Sequence, residues 1–196
     1  MDWKDLTVNQ YEQLAELHKI DRTRFASNAI EVMFGVKNAD TTLPLVEYSR
    51  YLGELSFFST PMPKGKLKEH HTLNGRAYDV SLVVAEFSSV QYQDIMNYSK
   101  GDKRLTDMLS CVVIPHGHRY NDGYDLEQVK DDIGTMNVVD GSAIAAFFLT
   151  FWKAYMRTFR AYSLPRLMSQ LPKEKKEEVE RLTRELLEKW EALITA

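Results

Sequence analysis

The sequence predicts a mainly α fold: a helical domain carrying one small β-hairpin, followed by a C-terminal amphipathic helix. Three observations carry that prediction. A hydroxyl-x-x-Gln-Tyr pattern occurs twice, from Thr7 to Tyr11 and from Ser88 to Tyr92. Asn74-Gly75 stands between two short strand-forming runs. The segment 173–195 is dense in Glu, Lys and Arg, yet carries Val179, Leu182, Leu186, Leu187, Trp190 and Leu193 at helical spacing. In the repeated pattern the hydroxyl accepts an orphan N–H of the first turn and the Gln reaches back to the cap, which is a capping box. The two copies fit either an old duplication or two helices that use the same cap chemistry.

Thr7 opens a helix over 7–18, with Val8, Tyr11, Leu14 and Leu17 at the helical period. Asp21 or Thr23 caps a second helix ending near 34, with Phe25, Ala29, Ile30 and Met33 on one face and Gly35 as its stop. Pro44 suits the first turn of a third helix, 45–58. Residues 60–66, with two prolines and a glycine, read as a linker. Asn74-Gly75 supplies the positive φ values of a type I′ turn, so 72–80 reads as a hairpin. A lone hairpin is marginal and has to lean on helices or on another sheet. Two further helices occupy 89–98 and 104–114, the latter stopped by Pro115. Asp125 caps a short helix to about 133, and Asp140 caps a long one to about 162. Pro165 and Pro172 bracket a break before the terminal helix. The expected organisation is a helical domain over 1–162, whose subregions 1–58 and 68–162 are joined by the Pro/Gly linker and hairpin, and a helical extension over 163–196.

Composition narrows the function classes. Hydrophobic residues make up 44% and charged residues 27%, as in a globular protein with a real core. A net charge of -3 gives no electrostatic reason to expect nucleic acid or an acidic membrane surface. The most apolar stretch, 143–152, is about half the roughly 20 residues that span a bilayer, and Lys153, Arg157 and Arg160 interrupt its continuation. The polar start, Met1-Asp2-Trp3-Lys4-Asp5, has no apolar leader core, so a cytoplasmic protein is expected. The single cysteine, Cys111, lies among Leu109, Val112, Val113 and Ile114 and reads as a buried, inert thiol.

Reaction motifs are sparse. His70-His71 and His116-Gly117-His118 are the histidine clusters, without the Cys pair or His-x-x-x-His spacing of a zinc site. Asn121-Asp122-Gly123-Tyr124-Asp125 lacks the alternating ligands and terminal Glu of a calcium loop, and a turn with a helix cap after it accounts for the pattern. Glu47 and Glu54 read as an exposed charged face. Neither a nucleophile elbow, a phosphate loop, a dinucleotide fingerprint nor a metalloprotease motif occurs. The expectation is a protein that is not an enzyme and takes no metal or cofactor.

Contact surfaces are better supported. Phe147, Phe148, Phe151, Trp152, Tyr155, Met156, Phe159 and Tyr162 share the long helix, with Phe148, Phe151, Trp152, Tyr155 and Phe159 on one stripe. Such a helix is either the centre of a bundle or one side of an interface. The terminal helix, beyond a proline-punctuated break, either docks on its own chain near Phe151 or Tyr155 or serves another. The candidate interaction residues are Phe151, Tyr155, Phe159, Leu182, Leu186 and Trp190.

Five short strings in order carry a family resemblance. They are Leu6-Thr7-Val8-Asn9-Gln10-Tyr11; Asn74-Gly75-Arg76-Ala77-Tyr78; Val90-Gln91-Tyr92-Gln93-Asp94-Ile95; Val112-Val113-Ile114-Pro115 with Tyr120-Asn121-Asp122-Gly123-Tyr124; and Ala145-Ala146-Phe147-Phe148. Together they resemble small proteins encoded in the structural and tail-assembly modules of tailed bacteriophages, over about residues 6–160. The resemblance implies a non-enzymatic role, nearest to a tail assembly chaperone that coats the tape-measure protein while tail-tube subunits polymerise around it. Its implied partners are the tape-measure protein, the tail-tube protein or further copies of itself. Its implied location is the host cytoplasm during assembly, or the virion. A head–tail or capsid-associated accessory protein, or a host-directed binding protein, remains open beside it. The family brings no catalytic residues to carry over.

Overall fold

The structure, a computed structural model, describes residues 1–83, 86–98, 104–158, 172, 175–177 and 181; for Met96 and residues 152–158 the description covers the backbone only. The architecture is mainly helical with a small antiparallel sheet. The chain forms two compact units, Met1–Ala145 and Ala146–Ala196. Helices α1 (Val8–Ile20), α2 (Phe25–Phe34), α3 (Ala39–Thr42) and α4 (Leu45–Glu54) come first, with short 3-10 turns at Trp3–Asp5, Arg22–Arg24 and Leu55–Ser59. Strands β1 (His70–Leu73) and β2 (Arg76–Val80) are next in the chain. Then come α5 (Ser89–Tyr98), α6 (Leu105–Leu109), strand β3 (Val113–Pro115), α7 (Leu126–Gly134) and α8 (Val138–Thr158).

Local chemistry explains the early helices. Thr7 makes the full capping box: Gln10 N donates to Thr7 Oγ1 at 3.2 Å, and Thr7 N donates to Gln10 Oε1 at 3.0 Å. Such a cap contributes about 1 kcal/mol. Gly35 takes φ 73° at the C-terminus of α2, a value that costs glycine nothing. The third helix is shorter than its sequence pattern predicts: α4 ends at Glu54 and tightens into the 3-10 turn. That turn buries Leu55 and Phe57, which sit in a cluster with Leu6, Leu14, Ala29, Ile30 and Ala39. Trp3 packs edge-on against both Phe57 and Phe58, at 5.4 Å between ring centres in each case.

The second copy of the motif behaves differently from the first. Ser88 Oγ accepts from Gln91 N at 3.1 Å, so half of the box forms. The Gln91 side chain is buried and donates from Nε2 to the Cys111 carbonyl at 2.8 Å. The reciprocal arm expected from the pattern is thus replaced by a tie to the strand side of the core.

The hairpin forms as its turn predicts. Asn74 and Gly75 have φ 49° and 77°, and Leu73 pairs with Arg76, Thr72 with Ala77, His71 with Tyr78 and His70 with Asp79. β1 therefore begins at the histidines, two residues ahead of the hairpin that the sequence pattern predicts. A third strand completes the sheet in the order β1-β2-β3, with Val80 opposite Val113 and Tyr78 opposite Pro115. The sequence pattern predicts one helix over 104–114. The structure ends α6 at Leu109 and extends Val113–Pro115 as a strand. Val112, Val113 and Ile114 are β-branched and buried, and pairing with β2 satisfies their backbone while three strands stabilise what two do not.

The chain's beginning is joined to the start of α8. Val8 N donates to the Met136 carbonyl and Val138 N to the Leu6 carbonyl, each at 2.8 Å, around a Thr7–Asn137 bridge. Leu6, Val8 and Val138 are fully buried there. Asn137, rather than the expected Asp140, caps α8: Asn137 Oδ1 accepts from Asp140 N at 2.9 Å. The linker lies against the first turns of α8. A Cβ on Gly65 would fall 2.4 Å from the Val139 carbonyl oxygen and 2.9 Å from Ala143 Cβ, and Lys68 Nζ reaches Asp140 Oδ2 at 2.6 Å. No helix among the described residues is long and apolar enough to cross a membrane.

A valine at position 75 would have to hold a β-branched side chain at φ 77°. Gly75→Val should therefore lower stability by about 2 kcal/mol, a fall in Tm of about 4–8 °C for a unit of this size. A thermal melt that superimposes on the parent's would refute the turn geometry.

Candidate functional site

Two features of the first unit concentrate polar chemistry, and the hairpin builds both. The first is buried. Asp132 on α7 has no exposed surface, yet it is a carboxylate. It accepts from Tyr78 Oη at 2.5 Å, Asn74 Nδ2 at 2.8 Å, Arg76 NH1 at 2.8 Å and Gln128 Nε2 at 3.1 Å. Arg76 and Tyr78 share a face of β2 because strand side chains alternate, and Asn74 reaches across from the turn. Burial pushes the Asp132 carboxyl up, but the hydrogen bonds from Tyr78, Asn74 and Arg76, with the Arg76 charge, outweigh it and hold the group below its ordinary value. Tyr78 is pushed up to about 12 by burial and by donating to a carboxylate. The network clamps the hairpin to α7.

The second feature is a groove of about 640 Å³ beside the sheet, lined by residues that include Asp79, Ser81, Ser88, His118, Arg119 and Tyr120. At its edge Asp79, on the middle strand, stands between two imidazoles. His70 Nδ1 lies 2.7 Å from Asp79 Oδ1, and His116 Nδ1 lies 2.9 Å from Asp79 Oδ2. Burial pushes the Asp79 carboxyl up, and the two histidine contacts outweigh it to bring it below the ordinary range. Also in the lining is Tyr120, whose Oη donates to Asp94 Oδ2 at 2.8 Å, with Cys111 Sγ at 3.9 Å from the same hydroxyl. Burial and the Asp94 carboxylate both raise the Tyr120 pKa. Cys111 is fully buried and pushed up to about 12, so its thiol stays protonated. Ser88 is occupied as a helix cap, while Arg119 has no ion-pair partner among the described residues. The groove lining can offer the Arg119 guanidinium, the His118 imidazole, the Ser81 hydroxyl and the carboxylates of Asp79 and Glu86 to a polar ligand.

The histidines fare unequally. His70 and His116 meet on Asp79, and His118 stands 3.7 Å from Asp122. His71, on β1, is half-buried, burial lowers its pKa, and its Nε2 has no hydrogen-bond partner among the described residues. No group of three or more His, Cys, Asp or Glu side chains that could hold a metal occurs among the described residues. Sequence reasoning weighs these histidines only as metal ligands or a pH-sensitive loop and misses Asp79 as their partner. The signal is present for one pair: a two-residue Asn-Gly turn places position 70 opposite 79 by counting. His116 arrives only through β3.

The expected contact residues divide. Phe151 lies on α8 and is 37% exposed, with Leu149 also exposed, while Phe148 is buried. The stripe that joins Phe148 and Phe151 in the sequence is thus split between a buried and an exposed side chain. Tyr155 lies on the helical backbone of α8, but its side chain falls outside the described residues, as do Phe159, Leu182, Leu186 and Trp190 entirely.

Removing the carboxylate with Asp132→Ala leaves the buried Tyr78 hydroxyl without its acceptor and frees the Asn74 and Arg76 side chains from the clamp. The expected cost at pH 7 is about 3 kcal/mol in denaturant unfolding. Because the folded-state pKa lies below the ordinary 3.8, the carboxylate's contribution is complete above that value and is lost as pH falls through the folded one. The gap between parent and variant should therefore narrow only below about pH 4; a constant gap would show that ionisation is irrelevant to the network. For Cys111, a thiol reagent should label native protein slowly and denatured protein fully, and rapid stoichiometric labelling of the native state would contradict the buried thiol. No protein-family model, curated protein or solved structure matches this chain.

Proposed function

We propose that this chain is a non-enzymatic assembly protein of a tailed bacteriophage, a tail assembly chaperone that binds the tape-measure protein, the tail-tube subunits or both. The observation that carries the reading is α8. Within the unit that begins at Ala146, Leu149 and Phe151 are exposed on a continuous helix that also carries Phe147, Phe148, Trp152 and Tyr155. An exposed aromatic side chain on a helix, as at Phe151, serves as an anchor for a partner's groove or helix. The order of the five sequence strings supplies the phage assignment, and the host cytoplasm during assembly is the corresponding location.

The test is co-expression with the tape-measure and tail-tube proteins of the genome that encodes it, and then affinity capture; a genome without them would sink the reading at once. The parent should capture at least one of them. Phe151→Asp should weaken capture by about tenfold or more while circular dichroism stays unchanged. Failure of the parent to capture either partner, or undiminished capture by the variant, would sink this reading. Stoichiometric recovery of the chain in purified virions would move it to a retained accessory component.

A further inference from the structure

We propose that the segment 60–68 is an acid-released strap, closed over the start of α8 while the His71 ring is neutral and opened when that ring takes up a proton. The proposal does not depend on the phage reading. Its basis is a gap in an otherwise satisfied interior. Among the described residues, His71 Nε2 is the one buried side-chain nitrogen or oxygen without a hydrogen-bond partner. Such orphans are rare in folded proteins, and one on a titratable ring changes character with pH. A bare ring nitrogen there forgoes one hydrogen bond. The same nitrogen protonated is a buried donor that shares a positive charge, which costs far more.

The surroundings leave that charge unmet. On the sheet His71 stands opposite Tyr78, whose hydroxyl is already given to Asp132. The charged groups that act on the ring are Asp140 from α8, Lys68 from the strap and His70 beside it on β1. Asp140 is the carboxylate among them, and it is engaged. Lys68 Nζ lies 2.6 Å from its Oδ2, and Asn137 Nδ2 donates to the same oxygen at 3.1 Å. Burial pushes the Asp140 carboxyl up, but Lys68 and Asn137 outweigh it, so the group stays charged where histidines titrate. For His71, burial outweighs the pull of Asp140 and brings the ring below its ordinary 6.5. The hold of the neutral ring is therefore complete above that value and is lost as pH falls from it toward the folded-state one. A proton on the ring is met in one of two ways, and both open the strap. Either the ring moves out to water, or it takes Asp140 and displaces Lys68.

Little else holds the strap. Gly65 lies against α8, Met62 packs on the core cluster, and the Thr60 carbonyl accepts from Trp3 Nε1 at 3.2 Å. Lys64, Lys66, Leu67 and Lys68 are exposed. The far end is hinged on the sheet, where the Glu69 carbonyl accepts from Val80 N at 2.8 Å. A segment with so few buried contacts opens locally at small cost, so one protonation biases it. Opening bares the turn of α8 from Val139 to Ala143, on which Gly65 lies.

Limited trypsin digestion of the full chain between about pH 7.5 and about pH 5.5 tests this. Cleavage after Lys64, Lys66 and Lys68 is divided at each pH by the rate on a synthetic peptide of residues 60–72, which removes the protease's own pH dependence. In the parent the quotient should rise about fivefold or more on acidification. In His71→Gln, whose side chain does not titrate, it should stay flat, and in His70→Gln the rise should persist. A flat parent overturns the proposal, as do an equal rise in His71→Gln and loss of the rise in His70→Gln. An equal rise at Lys130 on α7 would show general unfolding and overturns it too. Should His71→Gln fail to fold by circular dichroism, NMR titration of the parent decides. The His71 ring and the Gly65 amide must then share one midpoint below the ordinary histidine value, and separate midpoints overturn the strap.

Discussion

A carboxylate without exposed surface has to be compensated where it lies, and Asp132 is compensated by four donors from two elements. Three come from the hairpin and one from its own helix, one turn back. The hairpin on its own is too small to be stable. Two things hold it: β3 along one edge and Asp132 through the side chains of its turn and middle strand. The clamp is selective, because a register slip of one residue would turn Arg76 and Tyr78 to the opposite face and strand the charge. Asp132 therefore fixes register as much as it contributes stability, and register decides what else the strands bring together.

Chief among these is the Asp79 cluster. With His71 fixed opposite Tyr78, His70 must lie opposite Asp79, and β3 then delivers His116 to the same carboxylate. The groove beside the sheet takes part of its polarity from Asp79 and from Tyr120, whose hydroxyl is bonded to Asp94. Gln91 connects the same region to the core through the Cys111 carbonyl. One pairing register thus propagates from a buried ion to a surface site.

The other organising constraint is close backbone approach. The segment around Thr7 and the one around Asn137 exchange two hydrogen bonds, and Gly141 lets them close: a Cβ there would lie 2.8 Å from Val8 Cγ2. Gly65 plays the corresponding part for the linker against α8. A segment that composition marks as a flexible connector is consequently packed on a helix and pinned by Lys68 to Asp140.

The sequence by itself determined what is decided within a few residues. The Thr7–Gln10 box and the Asp125 cap form from side chains that reach neighbouring backbone, and the Gly35 stop and Asn74-Gly75 turn from residues that take positive φ, so spacing suffices to find them. The mainly α class with a small β element comes from the same signals. The tertiary structure decided the outcome wherever a local preference met a distant partner. Gln91 gave up its capping role for the Cys111 carbonyl, Asn137 took the cap assigned to Asp140, and Val113 to Pro115 left a helical reading to pair with β2. Asp132 and Asp79 read as ordinary charged positions, because neither shows its partners until strands and helices from different parts of the chain have met. Capping and turn energies are settled over one helical turn, whereas burial of a charge or a β-branched run is settled only by what the rest of the chain places beside it.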